Sequence, residues 1–217
     1  MDSRSLSPLH IGARLYQNRH IIWQLTKRDV LLKYRGAYLG IAWAFFYPLL
    51  LLAAFTLVFE QIFRPRWSQD GGSAPFALTL YCGLVVFGLF SEVISRAPAV
   101  IRGYPSYVKK IIFPLETLPL VLVATAVIHG AVNVLILLAG LALFGKIHLT
   151  ALLAPVALLP VVLLALGVGW FVAAWGVFLR DLTNILPVGV QILLYLCPVF
   201  YPLSAGPDNL RGLYLLT

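Results

Sequence analysis

The chain has 217 residues, of which 61% are hydrophobic and only 11% are charged. A soluble domain carries about 45–50% apolar and about 25% charged residues, so this composition excludes a water-soluble globular fold and places most of the chain in lipid. The net charge of +8 would suggest nucleic acid as the partner of a soluble protein. Here the basic residues lie between apolar runs, so membrane topology explains them better and no nucleic-acid partner is expected.

The N-terminal segment, residues 1–36, is polar and lacks the continuous apolar run of a cleavable signal peptide. Within it, the stretch QNRHIIWQLTKRDVLLKYRG is long enough for a helix. One side of that helix is apolar, but Arg28 and Asp29 interrupt it. We predict a helix at the membrane interface; the alternative is a solvated basic tail attracted to anionic lipid.

Five stretches of the chain are apolar over the roughly 20 residues that a membrane-spanning helix needs. They predict an all-α fold, a polytopic membrane helical bundle whose transmembrane domain covers residues 37–203. The predicted spans are residues 37–63, 75–95, 118–144, 151–179 and 185–203.

The distribution of lysine and arginine predicts the orientation of these spans. With the N-terminus in the cytoplasm, 12 of the 16 basic residues lie in cytoplasmic segments and 4 lie outside, as the positive-inside rule requires. Five spans then leave residues 204–217 outside, and this segment stops without a polar tail. We therefore expect a fragment, with a sixth span beyond the end of this sequence.

The longest internal loop, residues 97–116, is predicted to be cytoplasmic and mixes aromatic residues, lysines and prolines. This composition suits a surface that meets a cytoplasmic partner. Ordinary positive-inside charge with aromatic interface anchors is an equally good explanation. The candidate contact residues are Tyr104, Tyr107, Lys109, Lys110 and Phe113.

Polar residues recur along single faces of two predicted spans. Thr125, His129 and Asn133 are four residues apart in the third span, and Gln191 and Tyr195 are four apart in the fifth. Such residues form hydrogen bonds between helices or line a polar path through the membrane, and the sequence leaves both alternatives open.

Small residues indicate where helices pack. Ala165, Gly169 and Ala173 lie at spacings of four in the fourth span and predict a face that another helix approaches closely. Cys82 and Cys197 lie inside apolar runs, so we expect packing residues rather than a disulfide or a zinc site.

Several kinds of chemistry are absent from the sequence. There is no GxxxxGK[ST] phosphate loop, so the chain cannot hydrolyse ATP by that route. No catalytic set and no metal-ligand spacing are visible, and no cofactor is expected. No carboxylate is placed for a proton relay at the midplane, because the acidic residues lie near span ends: Glu60, Glu92, Glu116 and Asp181.

Three stretches resemble a known family: KRDVLLKYRGAYLGIAWAFFYPLLLLAAFTLVF, YVKKIIFPLETLPL and FLRDLTNILPVGVQILLYLCPVFYPL. In order and placement they are similar to the membrane permeases of type-2 ATP-binding cassette exporters, particularly those that export O-antigen, capsular polysaccharide or teichoic acid. The three stretches cover about a third of the chain.

The resemblance implies six spans, a homodimer and a separate nucleotide-binding ATPase subunit on the cytoplasmic side of a bacterial inner membrane. ATP hydrolysis would belong to that subunit, so the chain itself is not expected to be an enzyme. The family's coupling region falls on residues 97–113, and its N-terminal interface helix falls on residues 21–34.

The implied function is export of a lipid-linked polysaccharide or related cell-envelope glycan. Alternatives are a type-2 exporter of a drug or small lipid, a purely structural anchor subunit, or a membrane enzyme acting on lipid-linked sugars, which would need a surface cluster of acids that the sequence lacks. Candidate residues of the export pathway are Trp43, Tyr47, Gln191, Tyr195 and Tyr201.

Overall fold

The computed structural model describes residues 17–58, 76–104, 115–145, 151, 153–197 and 199. Within these ranges the regular structure is helical, without strands. A short 3-10 helix, Gly40–Ala42, leads into the second of six α-helices. The helices are α1 (Arg19–Tyr34), α2 (Trp43–Phe55), α3 (Phe76–Gly103), α4 (Thr117–Leu143), α5 (Ala154–Phe178) and α6 (Leu182–Leu196).

Four helical segments are long and apolar enough to cross a membrane: Gly40–Val58, which contains α2, and the helices α3, α4 and α5. The apolar helix α6 has 15 residues, or about 22 Å at the helical rise, which is less than a hydrocarbon core of about 30 Å. The predicted fold class, an all-α polytopic membrane bundle, is confirmed. The sixth span, expected beyond the end of this sequence, stays a prediction.

The helix of the second span continues beyond the predicted C-terminal end of that span. α3 continues past Ser95 to Gly103, so residues 97–103 are helix and not the start of the predicted loop. Charge at Arg96 and a proline at position 98 favour a span end in the sequence. In the structure Arg96 is ion-paired and Pro98 is buried within the helix, where packing partners offset the lost backbone hydrogen bond.

α3 is the central helix and packs against α4, α5 and α6. Its closest approach is to α5: a Cβ at Gly176 would overlap the backbone of Pro98, and one at Gly169 would lie 3.0 Å from Val93 Cγ1. The small-residue face predicted in the fourth span is therefore a packing surface against α3. Its members are all buried: Ala165, Gly169 and Ala173.

α2 packs loosely on this core. Only Pro48 of its 13 residues is buried, and its contacts reach α4 more than α3. The sequence in this helix is apolar on every side, which suits a helix surrounded by lipid or by another chain rather than one with a single buried face. The gap that it leaves beside α3 and α4 contains the cavity described below.

α1 covers the segment predicted as the N-terminal helix. It packs on α4 through Leu25, which contacts Leu118 and Val121. After Tyr34 the chain turns at Gly36, whose φ of 92° favours glycine. The place of α1 at a membrane surface stays a prediction.

Candidate functional site

An ion-pair cluster of four side chains joins α1 to α3. Asp29 and Lys33 lie one turn apart on α1, and Glu92 and Arg96 lie one turn apart on α3. Arg96 Nη2 donates to both carboxylate oxygens of Asp29, at 2.9 and 2.7 Å. Lys33 Nζ donates to Glu92 Oε1 at 3.0 Å. Since 29 opposes 96 and 33 opposes 92, α1 runs antiparallel to α3.

His129 of α4 extends the ion-pair cluster to a third helix. Its Nδ1 lies 2.9 Å from each carboxylate oxygen of Glu92 and 3.2 Å from Lys33 Nζ. We assign the proton to Nδ1, because an N–H can donate to the carboxylate whereas a lone pair there would be repelled. The Tyr34 ring meets the imidazole edge-on, with ring centroids 5.9 Å apart.

The ion-pair cluster holds two acids and two bases, so it is neutral while His129 is neutral. The carboxylates are the more buried members: the side chains of Asp29 and Glu92 are 14% and 16% exposed, against 38% for Arg96 and 44% for Lys33. The acids are thus enclosed by protein, while the basic side chains extend outward along the helix surface. Removing the partner of either acid would leave a largely buried negative charge unpaired.

Two tyrosines border this charged region from outside the spans. Burial raises the pKa of Tyr34, and the negative charge of Glu92 raises it further. Burial likewise raises the pKa of Tyr104, with Asp29 as the next cause. Both phenols therefore stay protonated at neutral pH and remain hydrogen-bond donors.

A cavity of about 690 Å³ lies between α2 and the central helices, next to the ion-pair cluster. Its lining is mainly apolar, with aromatic side chains from α2 on one wall and a few polar groups from α3, α4 and the end of α1 on the other. The aromatic residues of α2 are Trp43 and Tyr47, and the polar groups include those of Tyr81, Glu92, His129 and Asn133.

The three polar residues predicted as one face of the third span have different environments. The Tyr81 hydroxyl donates to Asn133 Oδ1 at 2.9 Å, a hydrogen bond between α3 and α4. His129 joins the ion-pair cluster, but its Nε2 is buried without a hydrogen-bond partner among the described residues. Thr125 Oγ1 is also buried and has no hydrogen-bond partner within the described part of the chain. His129 and Asn133 line the cavity.

The candidate pathway residues that the structure describes fall into two groups. Trp43 and Tyr47 line the cavity, and both are exposed. Gln191 and Tyr195 are exposed on α6 and do not line it. Tyr201 lies outside the described residues.

Of the residues predicted to contact a cytoplasmic partner, Tyr104 is described. It follows the last residue of α3 and packs against the small core that holds α1 on α4. The other candidates lie outside the described residues: Tyr107, Lys109, Lys110 and Phe113.

The ion-pair cluster itself was missed as a site by the sequence analysis. Two signals in the sequence point to it. Asp29 interrupts the apolar side of the N-terminal helix, where an unpaired acid would be unfavourable. Glu92 and Arg96 form an acid–base pair four residues apart at a span end. Neither signal names the partner, because the pairs join residues 59 and 67 positions apart.

A bundle of helices long and apolar enough to cross a membrane, with a cavity between them, places this chain in the class of polytopic helical membrane proteins. Similarity to a known protein family defines a narrower class than the fold does. The family described as ABC-2 type transporter matches residues 20–217, and the chain belongs to this family. The resemblance found in the sequence is thereby confirmed, and family membership implies association with an ATP-binding subunit.

Curated relatives are similar over most of the chain. A protein of Myxococcus xanthus named O-antigen export system permease protein RfbA is 29% identical over 202 residues, which cover 93% of this chain and 75% of the relative. A Klebsiella pneumoniae protein of the same name is 21% identical over 187 residues, which cover 85% of this chain and 70% of the relative. A second Klebsiella pneumoniae protein with that name is 20% identical over the same length.

Proposed function

We propose that this chain is the permease subunit of an ATP-driven exporter that moves a lipid-linked polysaccharide out of the bacterial cytoplasm. The observation that carries the proposal is the similarity to O-antigen export permeases over 85–93% of the chain. The transported molecule would be a cell-envelope glycan on a lipid carrier. The chain would sit in the inner membrane with its N-terminus in the cytoplasm, as the distribution of basic residues predicts.

The cavity supports a glycan as the substrate. Sugar rings present apolar C–H faces that pack on aromatic rings, and hydroxyl groups that hydrogen-bond to polar side chains. Trp43 and Tyr47 offer aromatic faces on one wall, while Asn133 and Glu92 offer polar atoms on the other. A pathway lined by both aromatic and polar side chains can contact the apolar faces and the hydroxyl groups of a sugar chain.

The partners in this proposal are an ATP-binding subunit and a second copy of the chain. The nearly unburied α2 and the exposed face of α6, which includes Tyr195, supply apolar and aromatic surface for the second copy. The predicted coupling residues, Tyr104, Tyr107, Lys109, Lys110 and Phe113, would meet the ATPase. ATP binding would close the ATPase subunits, and the movement would pass through this loop to the spans.

Co-purification tests the assembly. We expect this chain, co-expressed with the ATP-binding subunit of its exporter, to co-elute with that subunit in detergent and to hydrolyse ATP as a complex. Replacing Lys109 and Lys110 by alanine should weaken the association, because basic side chains at a docking surface contribute to encounter and binding. Failure of the unmodified proteins to associate would contradict the proposal.

An export assay tests the cavity. We expect Trp43→Ala and Tyr47→Ala each to lower glycan export by about fivefold, the effect of losing one well-placed aromatic contact. Phe45→Ala is the matched control, because Phe45 is an exposed aromatic residue of the same helix that does not line the cavity. Export should be measured at equal amounts of protein in the membrane. Equal losses in all three variants would remove the cavity from the pathway.

A further inference from the structure

The polarity of the two ion pairs alternates along the contact between α1 and α3. At the first pair the acid, Asp29, belongs to α1 and the base, Arg96, belongs to α3. At the second pair, one turn away, the base, Lys33, belongs to α1 and the acid, Glu92, belongs to α3. Both helices use a spacing of four residues, so the pairs are about 6 Å apart along the helices.

This alternation selects one register of the two helices. If α1 slid by one turn in one direction, Asp29 would face Glu92; in the other direction, Lys33 would face Arg96. Either slip replaces attraction by repulsion between charges that are partly shielded from water. Buried ion pairs contribute little net stability against apolar residues, but they are well suited to specifying a register.

The apolar contacts of α1 with α3 are few. They belong to a small core with Leu25 at the centre, packed on the first turns of α4, to which α3 contributes Val100 and Ile101 near its end. The backbone of α1 lies against α4 more than against α3. Apolar contacts are not directional, so this small core specifies the register of α1 less strongly than paired charges of alternating sign do. The ion pairs therefore determine where α1 sits along α3.

We propose that Asp29, Lys33, Glu92 and Arg96 are positioning residues that fix the register of α1 on α3, so that the two helices move as one body. His129 extends this unit to α4 through its contact with Glu92. A displacement of α1 is then transmitted to the wall of the cavity, which Glu92 and His129 line. This role rests on the proposed function, in which a cytoplasmic ATPase moves the cytoplasmic end of the subunit.

Three variants distinguish two roles of the charges: holding α1 on α3, and fixing the position of α1 along α3. Asp29→Arg places two arginines against each other and should release α1. The double variant Asp29→Arg with Arg96→Asp makes α1 entirely basic and α3 entirely acidic at the contact. It restores both attractions, but a slip of one turn then keeps one attractive pair instead of forming a repulsive one, so the register is less strongly specified. A fourfold exchange, Asp29→Lys, Lys33→Asp, Glu92→Arg and Arg96→Glu, keeps the composition of each helix and restores alternating polarity.

Hydrogen exchange of the α1 amides measures attachment without any contribution from the ATPase. We expect exchange about tenfold faster in Asp29→Arg than in the unmodified protein, since couplings within an ion-pair network have this size. The double variant and the fourfold exchange should return to the original rate. Lys27→Glu is the control, because it reverses an exposed charge of α1 that has no ion pair among the described residues. Unchanged exchange in Asp29→Arg would overturn the proposal.

The amount of glycan exported per ATP hydrolysed reports whether α1 lies in the correct register on α3, because only that register is proposed to transmit the movement of α1 to the cavity wall. We expect this ratio to fall about tenfold in Asp29→Arg and to recover only in part in the double variant, with ATP hydrolysis retained in both. Full recovery in the double variant would overturn the proposal, because attraction alone would then be sufficient. Absence of any complex with the ATPase in the unmodified protein would instead remove the proposed function, while the hydrogen-exchange result would still stand.

Discussion

Replacing Gly176 by alanine is expected to destabilise the bundle more than any other single-methyl change in α5. The added Cβ would overlap the Pro98 backbone oxygen and Cα, and would lie 2.7 Å from the carbonyl carbon. Backbone atoms cannot rotate away as a side chain can, so α3 and α5 must separate. Overpacking of this kind costs about 3 kcal/mol, which exceeds the gain of about 1 kcal/mol that alanine brings to a helix.

Gly167→Ala is the matched control in the same helix, because nothing lies within 4 Å of a Cβ at that position. The midpoint of thermal unfolding in detergent, followed by size-exclusion chromatography, should fall by about 4–8 °C for Gly176→Ala and rise by about 2–4 °C for Gly167→Ala, which gains helix propensity without a clash. Equal midpoints for both variants would show that α3 and α5 do not pack closely at this position.

Glu92→Gln is expected to be the most destabilising charge substitution. The carboxylate accepts from Lys33, Arg96 and His129, and an amide of the same shape leaves the bases with Asp29 as their only acid in the ion-pair cluster. Removing one member of a fully buried pair costs about 3–5 kcal/mol. Because Lys33 and Arg96 are more than a third exposed, solvent reduces the expected loss to about 2 kcal/mol.

Asp181→Asn is the control for this substitution. It makes the same change from acid to amide at an exposed residue preceding α6, which makes no side-chain hydrogen bond to the helix end. The expected change is below about 1 kcal/mol, the size of a charge–dipole interaction at a helix N-terminus. The two unfolding midpoints measured side by side decide the prediction. A loss in Glu92→Gln no greater than in Asp181→Asn would show that the ion-pair cluster does not contribute to stability.

The fold class follows from the sequence because a lipid environment restricts the possible structures. A chain with 61% hydrophobic residues and long uncharged runs must satisfy its backbone hydrogen bonds within each span, and α-helices do so. Helix packing was partly predictable for a similar reason. Small residues at a spacing of four, as at Ala165 and Gly169, let two backbones approach whatever the partner is.

The helix of the second span continues beyond the predicted end of that span, because local signals mislead there. Arg96 and Pro98 look like a helix end when only neighbouring residues are considered. Their partners, Asp29 and Gly176, come from α1 and α5, so the extension of α3 to Gly103 depends on contacts far away in sequence. The ion-pair cluster was missed for the same reason, because its pairs join residues 59 and 67 positions apart.

The sequence by itself determined that this protein is a helical membrane protein, the approximate position of each span, and its resemblance to the permeases of type-2 exporters. These properties depend on hydrophobicity and local order, which neighbouring residues specify. Only the tertiary structure decided which polar residues meet, that Trp43 and Tyr47 face the same cavity as His129 and Asn133, and that Asp29 pairs with Arg96. The sequence does not show which of several opposite charges lies close to a given charge, because that depends on how the helices pack.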